Sequence, residues 1–443
     1  MTCWLKRNFV GWPRCLEKKS PGCKKDMSLE THIASATDRL IDGLHFGGRN
    51  TASYVVSRQA TTFSPSSAAA WSPSGVRLVR FNLADHSGWL DGTSVRLCMQ
   101  LTNLSSSATL DPIAVSPACM FRRVRIIGAS AVLEDIDVYN RTFQLMSEMS
   151  STCQRRMNDM TESWGGGSAT LTLDNPAVDD PIPASSSRQV CVQLMSSFLS
   201  QQKLIPLAMC PITIELELDD ANAAFSGTTA DWQITRPRLL ADVCQIDPVL
   251  NNSYAKHLLD GKSLPMYMQG IYSMISAVPA GSSLFSLPIA RGFTRLSCIY
   301  VSFHNGSTDK WVTSFHHPSK DAVANTTATN TLEYNITIGS ERYPNFNCES
   351  TQESFYRLRL ATAAHMGSDQ TSITPRQYQT TKFVIGQSFE KTPGQSSHTG
   401  INTRSGSQLT LNFKNLGASA TCHVVMIFDQ VVNLSASGIE VLD

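Results

Sequence analysis

Val124-Arg-Ile-Ile-Gly128-Ala-Ser130 and Ile336-Thr-Ile-Gly339-Ser-Glu341 decide how this chain is organised, because they are two versions of one pattern. Tyr139–Leu145 follows the first version after an extended acidic stretch, and Phe355–Leu358 follows the second at almost the same distance. Each copy predicts a strand, a glycine where the strand bends, an extended segment and a short amphipathic helix. The two glycines lie about half of the 443-residue chain apart. The sequence therefore predicts two copies of one β-rich domain in tandem.

The rest of the chain is dominated by strand patterns. Apolar and polar residues alternate in Ile212–Leu218, which predicts a strand with one buried and one solvated face. Two other runs are apolar on both faces of the predicted strand, Cys298–Phe303 and Cys422–Phe428. This pattern is typical of strands that are covered on both faces. Helical patterns are sparse: Tyr139–Met160 is the best candidate and Ser354–Ala364 the next. Many strands, long loops and few short helices predict an all-β chain of two antiparallel sandwiches.

The composition describes a folded protein with few surface charges. Hydrophobic residues make up 42% of the chain and charged residues only 16%, below the roughly 25% of an average soluble domain. Disordered proteins show the opposite balance. A surface rich in Ser, Thr, Asn and Gln suits extensive neutral contact with other protein better than steering of a charged ligand.

The basic residues are concentrated at the N-terminus. Residues 1–26 carry only two acidic side chains, and a basic arm of this kind can contact nucleic acid by neutralising phosphates. The alternative is an unstructured or upstream extension, since Met27 is a plausible start. The segment lacks the apolar core of a secretory signal, and no apolar run elsewhere is long enough to span a bilayer. The basic residues of the arm are Lys6, Arg7, Arg14, Lys18, Lys19, Lys24 and Lys25.

The predicted domain limits follow from these patterns. The arm and a short helix occupy residues 1–44, the first sandwich residues 45–250 and the second residues 251–443. The boundary falls between two strand-like segments, where Pro248–Lys262 contains a short amphipathic stretch.

Catalytic, cofactor-binding and metal-ligating residues are not predicted. His304, Asp309, His316 and His317 form the one imidazole-rich cluster, but their spacing does not place two rings on one metal, and a solvated loop is predicted there. The twelve cysteines contain no C-x-x-C pair. Several lie in apolar strand-like runs, so reduced, buried thiols are predicted.

Tryptophans in or beside loops leave two interpretations open. Trp71, Trp89, Trp164 and Trp311 could be exposed as sugar platforms or interface anchors. They could equally plug the ends of the sandwiches.

The second half of the chain resembles a known family. Leu332–Pro344, with its Ile-Gly and Tyr-Pro pairs, leads into Glu353–Leu358, which carries a Phe-Tyr pair. Val424–Ser435 and Gly438–Asp443 look like a closing strand and tail, and Leu239–Cys244 like the equivalent strand of the first half. Together these segments resemble the double jelly-roll major capsid proteins of polinton-like viruses and virophages.

The resemblance implies a structural role without catalysis. Two tandem jelly rolls would trimerise into a pseudo-hexameric capsomer and build the icosahedral shell of a double-stranded DNA virus, so the chain would belong to the virion capsid. The implied partners are further copies, neighbouring capsomers, and penton and minor capsid proteins. Contact with the genome is predicted from the charge of the basic arm, which the resemblance does not cover. Asn305–Thr331 and Ser388–Ser407 would be outer or intersubunit loops. The alternatives are a carbohydrate-binding or adhesion module and a metal-dependent enzyme using the His304–His317 region.

Overall fold

Four main sheets arise from the strand patterns, two in each half of the chain. The computed structural model describes residues 54–66, 69–83, 88–112, 116–129, 131–151, 161–164, 181–226, 231–279, 284–304, 315–318, 332–392, 399–404, 406–417 and 420–443. Several predicted features lie outside these ranges: the basic arm and its helix, Asp309, Trp311 and most of the loop Asn305–Thr331. Residues 54–443 form one compact unit.

The first half forms two antiparallel sheets around an apolar core. Its strands are β1 (Val55–Phe63), β2 (Ala70–Trp71), β3 (Leu78–Asn82), β4 (Trp89–Asn103), β5 (Asp111–Pro112), β6 (Phe121–Gly128), β7 (Ala131–Ile136), β8 (Ser187–Gln193), β9 (Ile205–Pro206), β10 (Ile212–Leu218), β11 (Phe225–Ser226) and β12 (Trp232–Ile246). The strand orders are β1-β12-β4-β8 and β3-β10-β6-β7, while β2 and β9 extend the first sheet and β5 pairs with β11.

The second half repeats this arrangement. Its strands are β13 (Leu264–Val278), β14 (Leu284–Ile289), β15 (Leu296–His304), β16 (Glu333–Ile338), β17 (Glu341–Cys348), β18 (Val384–Ser388), β19 (Leu409–Lys414), β20 (Ala420–Ser435) and β21 (Gly438–Leu442). Their orders are β13-β20-β15-β18 and β14-β19-β16-β17, with β21 on β20. When the eight main strands of either half are numbered along the chain, both halves read 1-8-3-6 and 2-7-4-5. The prediction of two tandem antiparallel sandwiches is confirmed.

Short helices connect the strands of the described ranges. They are α1 (Tyr139–Met149), α2 (Ser197–Ser200), α3 (Ala221–Ala224), α4 (Pro248–Leu259), α5 (Thr351–Met366) and α6 (Pro375–Thr380), with a 3-10 turn at Pro117–Met120. Helix α1 ends at Met149, because Ser150 has an extended backbone. The prediction that this helix continues without a break to Met160 is therefore wrong, and residues 152–160 lie outside the described ranges. Helix α4 lies between the last strand of the first sandwich and β13. None of the helices in the described part of the chain is long and apolar enough to cross a membrane.

The sequence repeat is present in the structure. Strands β6 and β7 lead into α1, and β16 and β17 lead into α5. In the second copy the bend uses Gly339, whose φ is +61°. In the first copy Ala129 takes the left-handed conformation, with a φ of +50°, and Gly128 has another role. A Cβ on Gly128 would lie 2.7 Å from Leu133 and 2.9 Å from Ile439, so this glycine permits close packing.

Helix α5 explains why β15 is apolar on both faces. Every residue of β15 is buried, because one face points into the sandwich and the helix covers the other. The Tyr300 hydroxyl donates to the Ala361 carbonyl oxygen across 3.1 Å. Gly386 on the neighbouring strand β18 admits the helix, since a Cβ there would lie 2.8 Å from a Leu358 methyl group. The prediction of a strand covered on both faces is confirmed.

Candidate interaction surface

The three histidines of the predicted cluster are buried or half-buried rather than solvated, and Asp309 lies outside the described residues. His304 is the last residue of β15 and is buried, and its ring lies 5.1 Å from that of Phe315 between centroids. His316 and His317 are half-buried, and the His317 ring lies 4.1 Å from that of Phe383. The prediction fails because the polar residues after β15 suggested exposure, whereas the imidazoles pack against aromatic rings.

Burial keeps the imidazoles of His304 and His317 neutral at neutral pH. Burial lowers the pKa of His317 to about 4, with a smaller effect from the nearby His316. Burial also lowers the pKa of His304 well below its usual value, and Arg141 and His423 lower it further. Within the described ranges, no group of three or more His, Cys, Asp or Glu side chains could hold a metal ion. The metal-dependent alternative therefore gains no support from this part of the chain.

A buried ion pair joins the two sandwiches. Lys382, just before β18, places its Nζ 2.6 Å from Glu148 Oε2 on α1, and the two side chains are 3% and 0% exposed. Gln144 donates its amide to Glu148 Oε1 across 2.9 Å. Ser372 donates its hydroxyl to the Glu148 carbonyl oxygen at 2.6 Å. Sequence reasoning missed this network because its two sides lie far apart in the chain.

Two buried histidines extend the same contact. His423 on β20 places Nε2 3.3 Å from the Thr142 hydroxyl on α1, which again links the second sandwich to the first. Its ring lies 6.0 Å from the ring of His304 between centroids. Burial lowers the pKa of His423 to about 3, and the positive charge of Arg141 adds to this effect. Both rings are therefore neutral at neutral pH.

The tryptophans of the described ranges close the first sandwich. Trp71 and Trp164 are buried, and Trp89 is nearly so. The Trp71 indole donates to the Leu78 carbonyl oxygen at 3.1 Å. The Trp89 indole donates to Asn251 Oδ1 on α4 at 3.3 Å. A sugar platform needs an exposed ring face, so these residues fit the interpretation as plugs.

Exposed apolar side chains lie on strands and on helix α5. Leu284 on β14, an edge strand of its sheet, is 74% exposed. Tyr356 and Leu360 on α5 are exposed, and so is Phe346 on β17, against which the Arg357 guanidinium packs at 5.1 Å. Exposed apolar side chains on edge strands and helix faces are typical of protein contact surfaces.

Solved structures share this arrangement of sheets. The fold is similar to a quasi-atomic model of the PBCV-1 virus capsid, with a TM-score of 0.62 at 9% identity, covering 88% of this chain and 98% of that one. The Faustovirus major capsid protein gives a TM-score of 0.58 at 8% identity, covering 91% and 94%. The Sputnik virophage structure gives 0.54 at 8% identity, covering 91% and 92%. No protein-family model matches the chain, and no curated protein matches its sequence.

This chain has the double jelly-roll fold. The 1-8-3-6 and 2-7-4-5 strand orders occur in both halves, and the similarity to the solved structures spans both. In a jelly roll, eight strands form two facing sheets with long connections at their ends. The chemistry of such a fold lies in the sites that it carries, so function must be argued from its surfaces.

One apolar groove of about 490 Å³ lies where helix α4 joins the two jelly rolls. Trp89, Tyr254 and Met266 line it, and Lys203 is the one charged side chain among the described residues that does so. The rings of Trp89 and Tyr254 are 5.1 Å apart between centroids. A single cation without a neighbouring acid or nucleophile does not make a catalytic set, so this groove supports packing rather than chemistry.

Proposed function

We propose that this protein is the major capsid protein of an icosahedral double-stranded DNA virus, and that it forms the virion shell. The observation that carries the proposal is the presence of two jelly rolls of identical strand order in one chain, joined by a buried polar network. Three such chains around a three-fold axis would place six similar sandwiches in a ring. A ring of this kind would tile a shell with nearly hexagonal contacts while remaining a trimer.

The surface of the chain supports the same proposal. Charged residues make up 16% of the sequence, and large apolar side chains are exposed on β14, β17 and α5. Permanent interfaces between subunits are more apolar than ordinary surfaces and bury more than about 2,000 Å². The similar solved structures include a virus capsid and a major capsid protein. Capsomers in a shell would make contacts with one another and with penton and minor capsid proteins.

Native mass spectrometry of the purified chain tests the oligomeric state. We expect a species of three times the 48.5 kDa of the chain, with a hexagonal outline in negative-stain images. The matched variants Leu284→Asp and Tyr356→Glu place a charge on an exposed apolar side chain without touching the core, and at least one should shift the trimer towards monomer. A chain that stays monomeric at every accessible concentration would contradict the proposal.

The limits predicted for the domains complete the proposal: an arm at 1–44, a first jelly roll at 45–250 and a second at 251–443. Helix α4 supports the second boundary, because it separates β12 from β13. Asp247 caps this helix by accepting from the Val249 backbone amide at 2.7 Å, and Pro248 occupies its first turn. The strands on either side of the helix belong to different sheets.

We further propose that the basic arm contacts the genome. Neutralising its basic residues with alanine should weaken binding to double-stranded DNA and flatten the dependence of binding on salt, because fewer counterions would be released. Electrophoretic mobility shifts at several salt concentrations measure both effects. For a comparison of two charges with two, Lys24→Ala/Lys25→Ala in the arm is set beside Lys256→Ala/Lys262→Ala, which replaces two exposed lysines of the folded unit. Equal losses in the two variants would show that the arm has no special role.

A further inference from the structure

Two cysteines face each other across neighbouring strands of the first jelly roll. Cys98 on β4 and Cys191 on β8 are direct partners in the antiparallel register. Their sulfur atoms lie 2.9 Å apart. Directly opposed residues on antiparallel strands have Cα atoms about 4.5–5.5 Å apart, which lies inside the range of about 4.4–6.8 Å found across disulfides. The backbone is therefore already placed for a bond, and only a small side-chain shift is needed.

This pair is also accessible, in contrast to the other thiols of the described residues. Cys98 and Cys191 are partly exposed, whereas the six further cysteines of the described residues are buried. A cavity of about 350 Å³ opens beside the pair, and Arg236 and Arg238 line it. Both arginines lie where the pairing register of β12 with β4 shifts, between Thr235 and Arg238. The backbone of Arg236 is left-handed there, with a φ of +50°. The cavity therefore combines two thiols with two exposed cations.

We propose that Cys98 and Cys191 form a cross-strand disulfide by exchange with a small acidic disulfide such as oxidised glutathione. One cysteine thiolate attacks a sulfur of the oxidised glutathione, its S–S bond breaks, and one glutathione leaves as a thiolate that takes up a proton. The thiolate of the second cysteine then attacks the sulfur atom of the first cysteine in the mixed disulfide. This attack forms the protein disulfide and releases the second glutathione as a thiolate. Two protein thiols are oxidised, and one small disulfide is reduced to two thiols.

The cavity suits this reagent because glutathione carries carboxylates that can pair with guanidinium groups. Burial and, to a lesser extent, the contact with Cys98 raise the pKa of Cys191 to about 12. Thiolate is therefore scarce at neutral pH, and the exchange proceeds slowly. The bond would tie β8, the edge strand of its sheet, to β4 once the protein passes from a reducing to an oxidising compartment.

Peptide mapping of the full chain tests the bond directly. The reduced protein is incubated with oxidised glutathione, and peptides are analysed by mass spectrometry without reduction. We expect a linked pair of peptides containing Cys98 and Cys191. The intact oxidised protein should have a melting temperature about 5–10 °C higher than that of the reduced protein. Cys191→Ser should instead retain one glutathione on Cys98 and show no such rise. If Cys191→Ser does not fold, Cys98→Ala provides the same test in reverse.

Two outcomes would overturn the proposal. In one, wild-type protein keeps both thiols free; in the other, it retains glutathione at Cys98 as the serine variant does. The role of the cavity has its own test, in which Arg236→Ala/Arg238→Ala is compared with wild type. Exchange with oxidised glutathione should slow several-fold, while exchange with the cationic disulfide cystamine should not slow. Equal rates for both reagents in both proteins would remove the arginines from the mechanism.

Discussion

Replacing Lys382 with methionine is expected to lower the free energy of unfolding by about 3–5 kcal/mol. The substitution removes the cation that lies 2.6 Å from Glu148, whose side chain is 0% exposed. Gln144 donates one hydrogen bond to the carboxylate, which cannot replace a full positive charge. The variant therefore leaves a buried carboxylate between the two jelly rolls without this cation. Chemical denaturation of the wild type and of Lys382→Met, followed by fluorescence, measures the difference in their free energies of unfolding.

A second ion pair of the same residue types provides the control. Lys414 contacts Glu333 at 2.9 Å, but its side chain is 51% exposed, so Lys414→Met should cost less than about 1 kcal/mol. The double variant Lys382→Met/Glu148→Leu should recover most of the lost stability, because it removes both charges of the pair. Equal costs for Lys382→Met and Lys414→Met would show that burial of the pair has no energetic consequence.

The buried pair also bears on assembly. Glu148 belongs to α1 of the first jelly roll, and Lys382 and Ser372 belong to the second. A polar group enclosed at such a contact can be satisfied in few arrangements, so it favours one relative placement of the two rolls. In the proposed trimer, six sandwiches would close into a ring only if the two in each chain kept the same relation. The ion pair is thus suited to specifying geometry rather than to adding stability.

The two-domain β architecture could be predicted because it depends on patterns within short stretches of the sequence. The repeat of Val124–Ser130 in Ile336–Glu341 predicted two copies of one unit, and alternation in Ile212–Leu218 predicted a strand with one buried face. Both features depend on a few consecutive residues. The all-apolar run Cys298–Phe303 indicated a second covering layer, although the sequence did not show that α5 would supply it.

The contacts between the jelly rolls could not be predicted in this way. Lys382 and Glu148 are ordinary charged residues in their own segments, and only the tertiary fold places them together. His304 was assigned to a solvated loop because the residues that follow it are polar, yet it ends a strand whose every residue is buried. The close approach at Gly128 likewise depends on Ile439, which lies at the other end of the chain.

Acidification from pH 7 to pH 5 is expected to destabilise the fold by about 2 kcal/mol through the buried His423, and His304, whose pKa is also lowered by burial, acts in the same direction. An exposed histidine has a pKa of 6.5, and burial lowers the pKa of His423 to about 3. The unfolded chain therefore takes up a proton below pH 6.5 that the folded chain does not take up. The contribution of the buried neutral histidine to the free energy of unfolding is fully present above pH 6.5. It falls as the pH decreases towards the pKa of the folded state.

Comparing wild type with His423→Gln isolates this effect. Glutamine keeps a polar side chain near the Thr142 hydroxyl, 3.3 Å from the imidazole in the wild type, but does not titrate. The loss of unfolding free energy between pH 7 and pH 5 should therefore be about 2 kcal/mol smaller in the variant. Burial raises the pKa of Glu134, which acts in the opposite direction. That carboxyl group is present in both proteins, so its contribution cancels. Identical pH dependences in the two proteins would mean that His423 takes up its proton equally in the folded and unfolded states.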